Sequence, residues 1–374
     1  MNAPAPRTRT AVPARLALPA SRRSLLRGAG LGALGVAALA ACGEESGAAG
    51  TSGSGSGGAE GFGDIAVQLS WIKNIEFAGE YFAIERGYYA EEGFGTVDLL
   101  AGGAAGTAAE AMVLSRRAQV GLSAPTLTAP AIVNEGAPLK IIGATFQLNP
   151  FCLVSVEERT PVRTVEDLAG KRIGVQTGGN EQIFAGFCTA NGVDPSTFTI
   201  VPVQYDPSVV ASGEVDAFMA YLTNEPILLA GQGLTPVTLG FAEQGLPFVA
   251  ETFTVLQSTI DEQRDMLKAF LRAEVRGWTD AVADPAESAR LAVEVYGADL
   301  DLELEEQTAE AEAQNELVVT DDTRANGLFT MTEELVQENV EALAVIGTDI
   351  AAEQLFDLTL LEEVYAEDPG LITG

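Results

Sequence analysis

Tyr221, Asn224 and Glu225 stand within five positions of one another in the run YLTNEP. A carboxylate only accepts hydrogen bonds, and it pairs two at a time with the donors of an amino-substituted ring. The run therefore suits an amino-heterocycle and would repel an anion; a salt bridge or a hinge cap is the competing use of Glu225. Trp71 follows the strand-like run DIAVQLS, at the carboxyl edge where open α/β sheets place ligands. Tyr205 closes the run FTIVPVQY and is positioned to stack opposite Trp71. Asn74 is placed to cap the helix NIEFAGEYFAIERG and also to offer its amide to a ligand. Ile75, Ala78 and Phe82 share one helical face, which assigns Phe82 to the core; Tyr81 lies on another face, with its hydroxyl expected toward a cleft.

Three strand-to-helix junctions add backbone chemistry. They are Gly103 in GGAAGT, Ser123 and Thr126 in SAPT, and Thr177, Gly178 and Asn180 in TGGN, with Asn180 expected as a cap. Glycine permits close backbone approach, and free N–H groups at a helix start attract acceptors or anions. A plain turn is the alternative at each. All of this is the chemistry of reversible binding. The chain has no histidine, which removes His-dependent triads and the common His metal sites together. Cys152 and Cys188 are far apart, with no CxxC, so no zinc site is expected. No GxSxG or Walker loop is present, and neither an enzyme nor a cofactor is expected.

The elements that must position these groups alternate. Strand-like DIAVQLS, TVDLL, AQVGLSA, PLKIIGATF and PFCLVSV are separated by helical stretches, among them GTAAEAMVLSRR with a capping box from Thr107 to Glu110. KRIGVQ, NEQIFAGFCTANG and FTIVPV form another βαβ-like unit, followed by DAFMAY, TPVTLGF and the long return PFVAETFTVL. From about residue 259 the pattern is almost wholly helical, with Trp278 in step with Phe270 and Leu271 as core. Such alternation predicts an α/β fold with mainly parallel sheets. The 374 residues allow two lobes, each with its own core.

The first 41 residues carry six arginines and no acid, then the short apolar stretch GAGLGALGVAALAA, then LAAC. This is the order of an export signal, and the paired arginines of SRRSLL suggest the twin-arginine route. Residues 42–63 are a Gly/Ser tether of about 25 Å reach. Removal of residues 1–41 leaves 15 basic against 53 acidic residues, a net charge of −38. That argues against a nucleic-acid partner, whose phosphates need Lys and Arg. Outside the cell Cys152 and Cys188 are free to pair, or to remain two buried thiols.

The run of strand, Trp71, Asn74, FAGEYFA, GYY and EEG resembles the start of extracytoplasmic solute-binding proteins of ABC importers. The branch it resembles binds sulfonates, nitrate, thiamine pyrimidine precursors and riboflavin-type compounds. TVEDLAGKRIGVQTG, GEVDAFMAYLTNEP and FLRAEVRGWTDAVADP extend the likeness from residue 64 to about 365. Leu39-Ala40-Ala41-Cys42 likewise resembles a bacterial lipobox, which implies lipidation at Cys42 and anchoring to the outer face of the membrane. The resemblance implies an α/β, two-lobed periplasmic-binding-protein fold of type II-like arrangement. In it, two mainly parallel sheets flanked by helices enclose a ligand cleft. Lobe I would be 64–154 with the return and helices of 247–367, lobe II 155–246, and 368–374 a tail. The helix starts at Gly103, Ser123 and Thr126 would then face TGGN across the cleft. The implied function is capture of a small planar nitrogen heterocycle and its delivery, by a monomer, to a permease and its ATPase. The same scaffold tuned to an alkanesulfonate or nitrate, or an extracellular sensor, are the alternatives. An enzyme branch of the wider fold uses a histidine and iron, and this chain lacks the histidine.

Overall fold

The computed structural model describes residues 61–103 and 106–372. The export signal, Cys42 and nearly all of the tether lie outside the described residues. Among the described residues ten strands form two five-stranded sheets: β1 (Gly63–Gln68), β2 (Phe94–Leu100), β3 (Val120–Ser123), β4 (Leu139–Phe146), β5 (Phe151–Val156), β6 (Arg172–Gln176), β7 (Thr199–Val203), β8 (Ala217–Tyr221), β9 (Pro236–Gly240) and β10 (Ala250–Leu256). The orders are β2-β1-β3-β10-β4 and β7-β6-β8-β5-β9. In the first sheet β10 runs against both of its neighbours, and in the second β5 does. The other strands of each sheet share one direction, with β1 parallel to β2 and β3, and β6 parallel to β7 and β8.

The reversed strand in each lobe is the one that arrives from the other lobe. The chain crosses at residues 147–150, between β4 and β5, and returns at 241–249, between β9 and β10. A boundary at residue 154 would cut β5, all of which lies in the second sheet, so the first crossing falls earlier. The sequence PFCLVSV reads as a strand whichever sheet it joins, which is why the edge was misplaced. Asn149 laces the two crossings together. Its Nδ2 donates to the Leu246 carbonyl at 2.9 Å, and its Oδ1 accepts from the Phe151 amide at 2.9 Å. Asn339, fully buried on the helix Glu333–Val345, accepts from the Val249 amide at 3.0 Å. That helix belongs to both lobes: Ala342 enters the second core, while Leu343 packs with Ala129 and Ile141 of the first.

Lobe I is built on a close helix crossing. The helix Ala78–Glu85 lies against Arg264–Ala283, where a Cβ on Gly79 would stand 2.0 Å from Trp278 Cδ1 and one on Gly277 2.2 Å from the Gly79 carbonyl oxygen. Both glycines are therefore required by the approach of the two backbones. Trp278 and Phe82 are buried core residues, as their helical spacing predicts. Every residue of β10 is buried, as expected for a strand covered on both faces. Burial of one such apolar side chain contributes roughly 1.5–3 kcal/mol. Cys152 and Cys188 are both free and buried, in separate core clusters of lobe II. Among the described residues, no helix is long and apolar enough to cross a membrane.

Candidate ligand-binding cleft

Between the sheets lies a cavity of about 370 Å³ lined from both lobes, within the usual range for a small-molecule site. Its mouth is aromatic. Trp71, just past β1, meets Tyr205, just past β7, with ring centroids 4.8 Å apart and planes tilted by 57°. The jaws also touch where Leu127, in the first turn of the helix Pro125–Glu135, approaches Gly179 at the start of Gly179–Ala190; a Cβ on Gly179 would lie 3.5 Å from Leu127 Cδ2. Phe151 and Tyr221 form an edge-to-face pair on the lobe II wall, with centroids 4.6 Å apart.

Nine of the thirteen expected binding residues line this cavity: Trp71, Gly103, Ser123, Thr126, Asn180, Tyr205, Tyr221, Asn224 and Glu225. Gly103 has φ +97°, a conformation glycine adopts freely, and its missing side chain leaves room beside Ile72. Four residues are placed elsewhere. Tyr81 is fully buried, stacked on Tyr296 at 4.0 Å, and its hydroxyl donates to the Asn74 carbonyl at 2.8 Å. Asn74 caps the short 3-10 turn Ile75–Phe77 through the Glu76 amide at 3.3 Å and does not line the cavity. The helix period put Tyr81 on a second face, but Tyr296, on a distant segment, covers that face. Thr177 and Gly178 are exposed just outside the cavity. Asn180 is not the cap of its helix; Gly178 holds that position, and Asn180 Nδ2 donates instead to Gln176 Oε1 at 3.0 Å. The expected capping box at Thr107 is also absent. Glu110 turns inward, where it accepts from the hydroxyls of Ser123 and Thr128.

The acids of the floor were not foreseen. Glu76 and Glu251 line the cavity with Glu225, and all three are at least nine-tenths buried. Glu225 stands at the first position of the helix Glu225–Gly231, where its Oε2 accepts from the Tyr221 amide at 2.8 Å. Glu251 Oε2 accepts from Ser70 Oγ at 2.7 Å. Its φ of +47° is unusual for a residue with a Cβ and costs on the order of 1–3 kcal/mol. Such strain persists where the surroundings fix it, here at the second residue of β10, directly after the second crossing. Glu76 is aimed by two glutamines of the helix Leu304–Val318. Gln307 Oε1 accepts from the Ile75 amide at 2.9 Å and Gln314 Nε2 donates to the Ile75 carbonyl at 3.0 Å.

Burial pushes Glu225 and Glu251 up to about 7 each. Glu76 is raised well above its ordinary value, first by burial and then by Glu251, Glu310 and Glu225. Glu310, behind the floor, is pushed up to about 8, chiefly by burial. Among the described residues no Lys or Arg lines the cavity; Lys73, the basic residue nearest Trp71 in sequence, is not part of the wall. The sequence did hold a signal for the missed acids. Glu76 stands between Ile75 and Phe77, and Glu251 interrupts the apolar run PFVAETFTVL. A charge in a segment with no solvent-facing period is there for a partner or a ligand.

Comparison with known proteins fits this architecture. The family model described as "NMT1/THI5 like" matches residues 74–288. The riboflavin-binding protein RibY of Chloroflexus aurantiacus is 27% identical over 312 residues, covering 78% of this chain and 84% of that protein. Among solved structures, the periplasmic aliphatic sulphonate binding protein SsuA of Escherichia coli superposes with a TM-score of 0.59 at 12% identity, covering 80% of this chain and 99% of the other. The periplasmic nitrate-binding protein NrtA of Synechocystis PCC 6803 gives 0.57 at 13% identity, covering 83% and 91%. At such identities the two solved structures show the shared fold: two lobes of the periplasmic-binding-protein type.

Proposed function

The chain belongs to the NMT1/THI5-like family, and from that premise we propose that it is the substrate-binding component of an ABC importer for a small planar nitrogen heterocycle. The observation that carries this reading is the joint lining of one cavity by Trp71 and Tyr205 at the mouth and by Glu225, Glu251 and Glu76 at the floor. Rings take the faces of a flat guest, and carboxylates take the donors on its rim. Guest binding favours the closed arrangement of the lobes, the hinge mechanism of two-lobed binding proteins. The riboflavin-binding relative supports a heterocycle of the flavin or aminopyrimidine kind.

A sulfonate or nitrate ligand, as named for the two solved structures, would meet the carboxylates of Glu76, Glu110, Glu225 and Glu251 and, among the described residues, no cation in this wall. Delivery to a permease and ATPase, export by the twin-arginine route, lipidation at Cys42 and a monomeric, extracytoplasmic state complete the proposal. Thermal-shift titration with riboflavin, 4-amino-5-hydroxymethyl-2-methylpyrimidine, ethanesulfonate and nitrate tests it. Stabilisation by a ring compound alone is expected; stabilisation by either anion alone overturns it.

A further inference from the structure

We propose that the guest of this cleft carries a positive charge, and that Glu76, Glu225 and Glu251 hold that charge between the lobes. This rests on the reading of the cavity as a heterocycle site and names the charge class of its occupant. Each of the three carboxylates is at least nine-tenths buried and lines the same cavity. Glu225 Oε2 accepts from the Tyr221 amide and Glu251 Oε2 from Ser70, and among the described residues no other side chain bonds either carboxylate. Among the described residues none of the three forms an ion pair with a protein cation; the ion pairs lie on the exterior, many of them along the helix Arg264–Ala283.

Buried, unpaired carboxylates are costly, and each is neutralised either by a bound proton or by a cation brought to it. No group of three His, Cys, Asp or Glu among the described residues could hold a metal ion. A planar organic cation satisfies both halves of the wall. Its charge neutralises the floor, and its face is attracted to the electron-rich faces of Trp71 and Tyr205. A neutral ring with the same outline would leave the three acids competing for protons among themselves. Two of the acids belong to lobe I and Glu225 to lobe II, so a cation between them also draws the jaws together.

Isothermal titration calorimetry at pH 8 with matched guests decides the matter. The pairs are 1-methylnicotinamide with nicotinamide, and thiamine with its neutral 4-amino-5-hydroxymethyl-2-methylpyrimidine half, with riboflavin and ethanesulfonate alongside. The cationic member of at least one pair is expected to bind about tenfold or more tightly than its neutral partner. That preference is expected to vanish in the double variant Glu76→Gln, Glu251→Gln, which should melt no lower than the wild type because it removes buried charge. Tighter or equal binding of the neutral partners or riboflavin overturns the charge assignment and leaves the heterocycle reading standing. Binding of ethanesulfonate alone, or of no compound, overturns both. The wild-type comparison decides the question even if the double variant does not fold.

Discussion

Trp71 and Tyr205 come from opposite lobes and touch, their ring centroids 4.8 Å apart. Neither ring is sealed in a core: Trp71 is half-buried and Tyr205 is 41% exposed. The contact closes the mouth while leaving both faces able to swing onto a guest.

Truncating either ring removes a stacking surface worth about 0.5–1.5 kcal/mol beyond its area. Trp71→Ala is expected to weaken binding of the ligand that the titrations identify about tenfold or more, with the melting temperature of the empty protein nearly unchanged. Because Trp278 is buried far into the helix packing, fluorescence quenching by ligand should disappear in Trp71→Phe. Retention of full quenching there would remove Trp71 from the mouth.

Stability of the empty protein should fall as pH rises from about 5 to about 8. Burial raises Glu225 and Glu251 to about 7, and Glu274 and Glu310 to about 8; Glu76 and Glu80 are also raised. Facing them are Tyr89, which donates to Glu274, Tyr221 and Tyr205 beside Glu225, and Ser70 on Glu251. The folded chain thus retains protons that the unfolded chain releases above about pH 4.5, so the linkage favours folding at the acid end of that window. Exposed acids held low by Arg172 or Arg264 act only below it. Calorimetric melting at fixed ionic strength should give a lower Tm at pH 8 than at pH 5.5. A level or rising Tm would mean that these acids are not protonated in the fold.

Gly79 and Gly277 set the distance between two helices that carry the lobe I core. Gly79→Val forces atoms into the Trp278 ring and is expected to cost about 2 kcal/mol or more. Urea denaturation would register this as a lower midpoint with an unchanged slope. An unshifted midpoint would show that the helices can part without loss.

Gln307 and Gln314 act on the cleft without touching it. Both hold Ile75, and Ile75 carries Glu76 into the cavity. Gln307→Leu leaves the Ile75 amide buried and unpaired, at about 1–3 kcal/mol. Ligand affinity should drop more than it does in a surface variant of equal stability loss, measured by calorimetry on both. Equal losses would make the glutamine merely structural.

Much of the cleft could be read in the sequence because its parts obey local rules. Trp71 and Tyr205 follow strands, Ser123 and Thr126 start a helix, and Glu225 opens another, so topology alone brings them to one edge. What could not be read depends on distant segments. Tyr81 is covered by Tyr296, Glu110 bonds Ser123 and Thr128 instead of capping its helix, and Glu251 takes a positive φ where the returning crossing enters β10. The placement of β10 between β3 and β4 follows from the same long return, and periodicity carries no record of which strands are neighbours.

Asn149 spans from one crossing strand to the other, and its consequence is mechanical. Two connectors bonded to each other bend as a single pivot, so sliding of one half past the other is resisted while rotation is not. The thickness of whatever sits inside is thereby converted into one angle. Anything that gripped both halves at once would tell a filled cleft from an empty one by that angle alone.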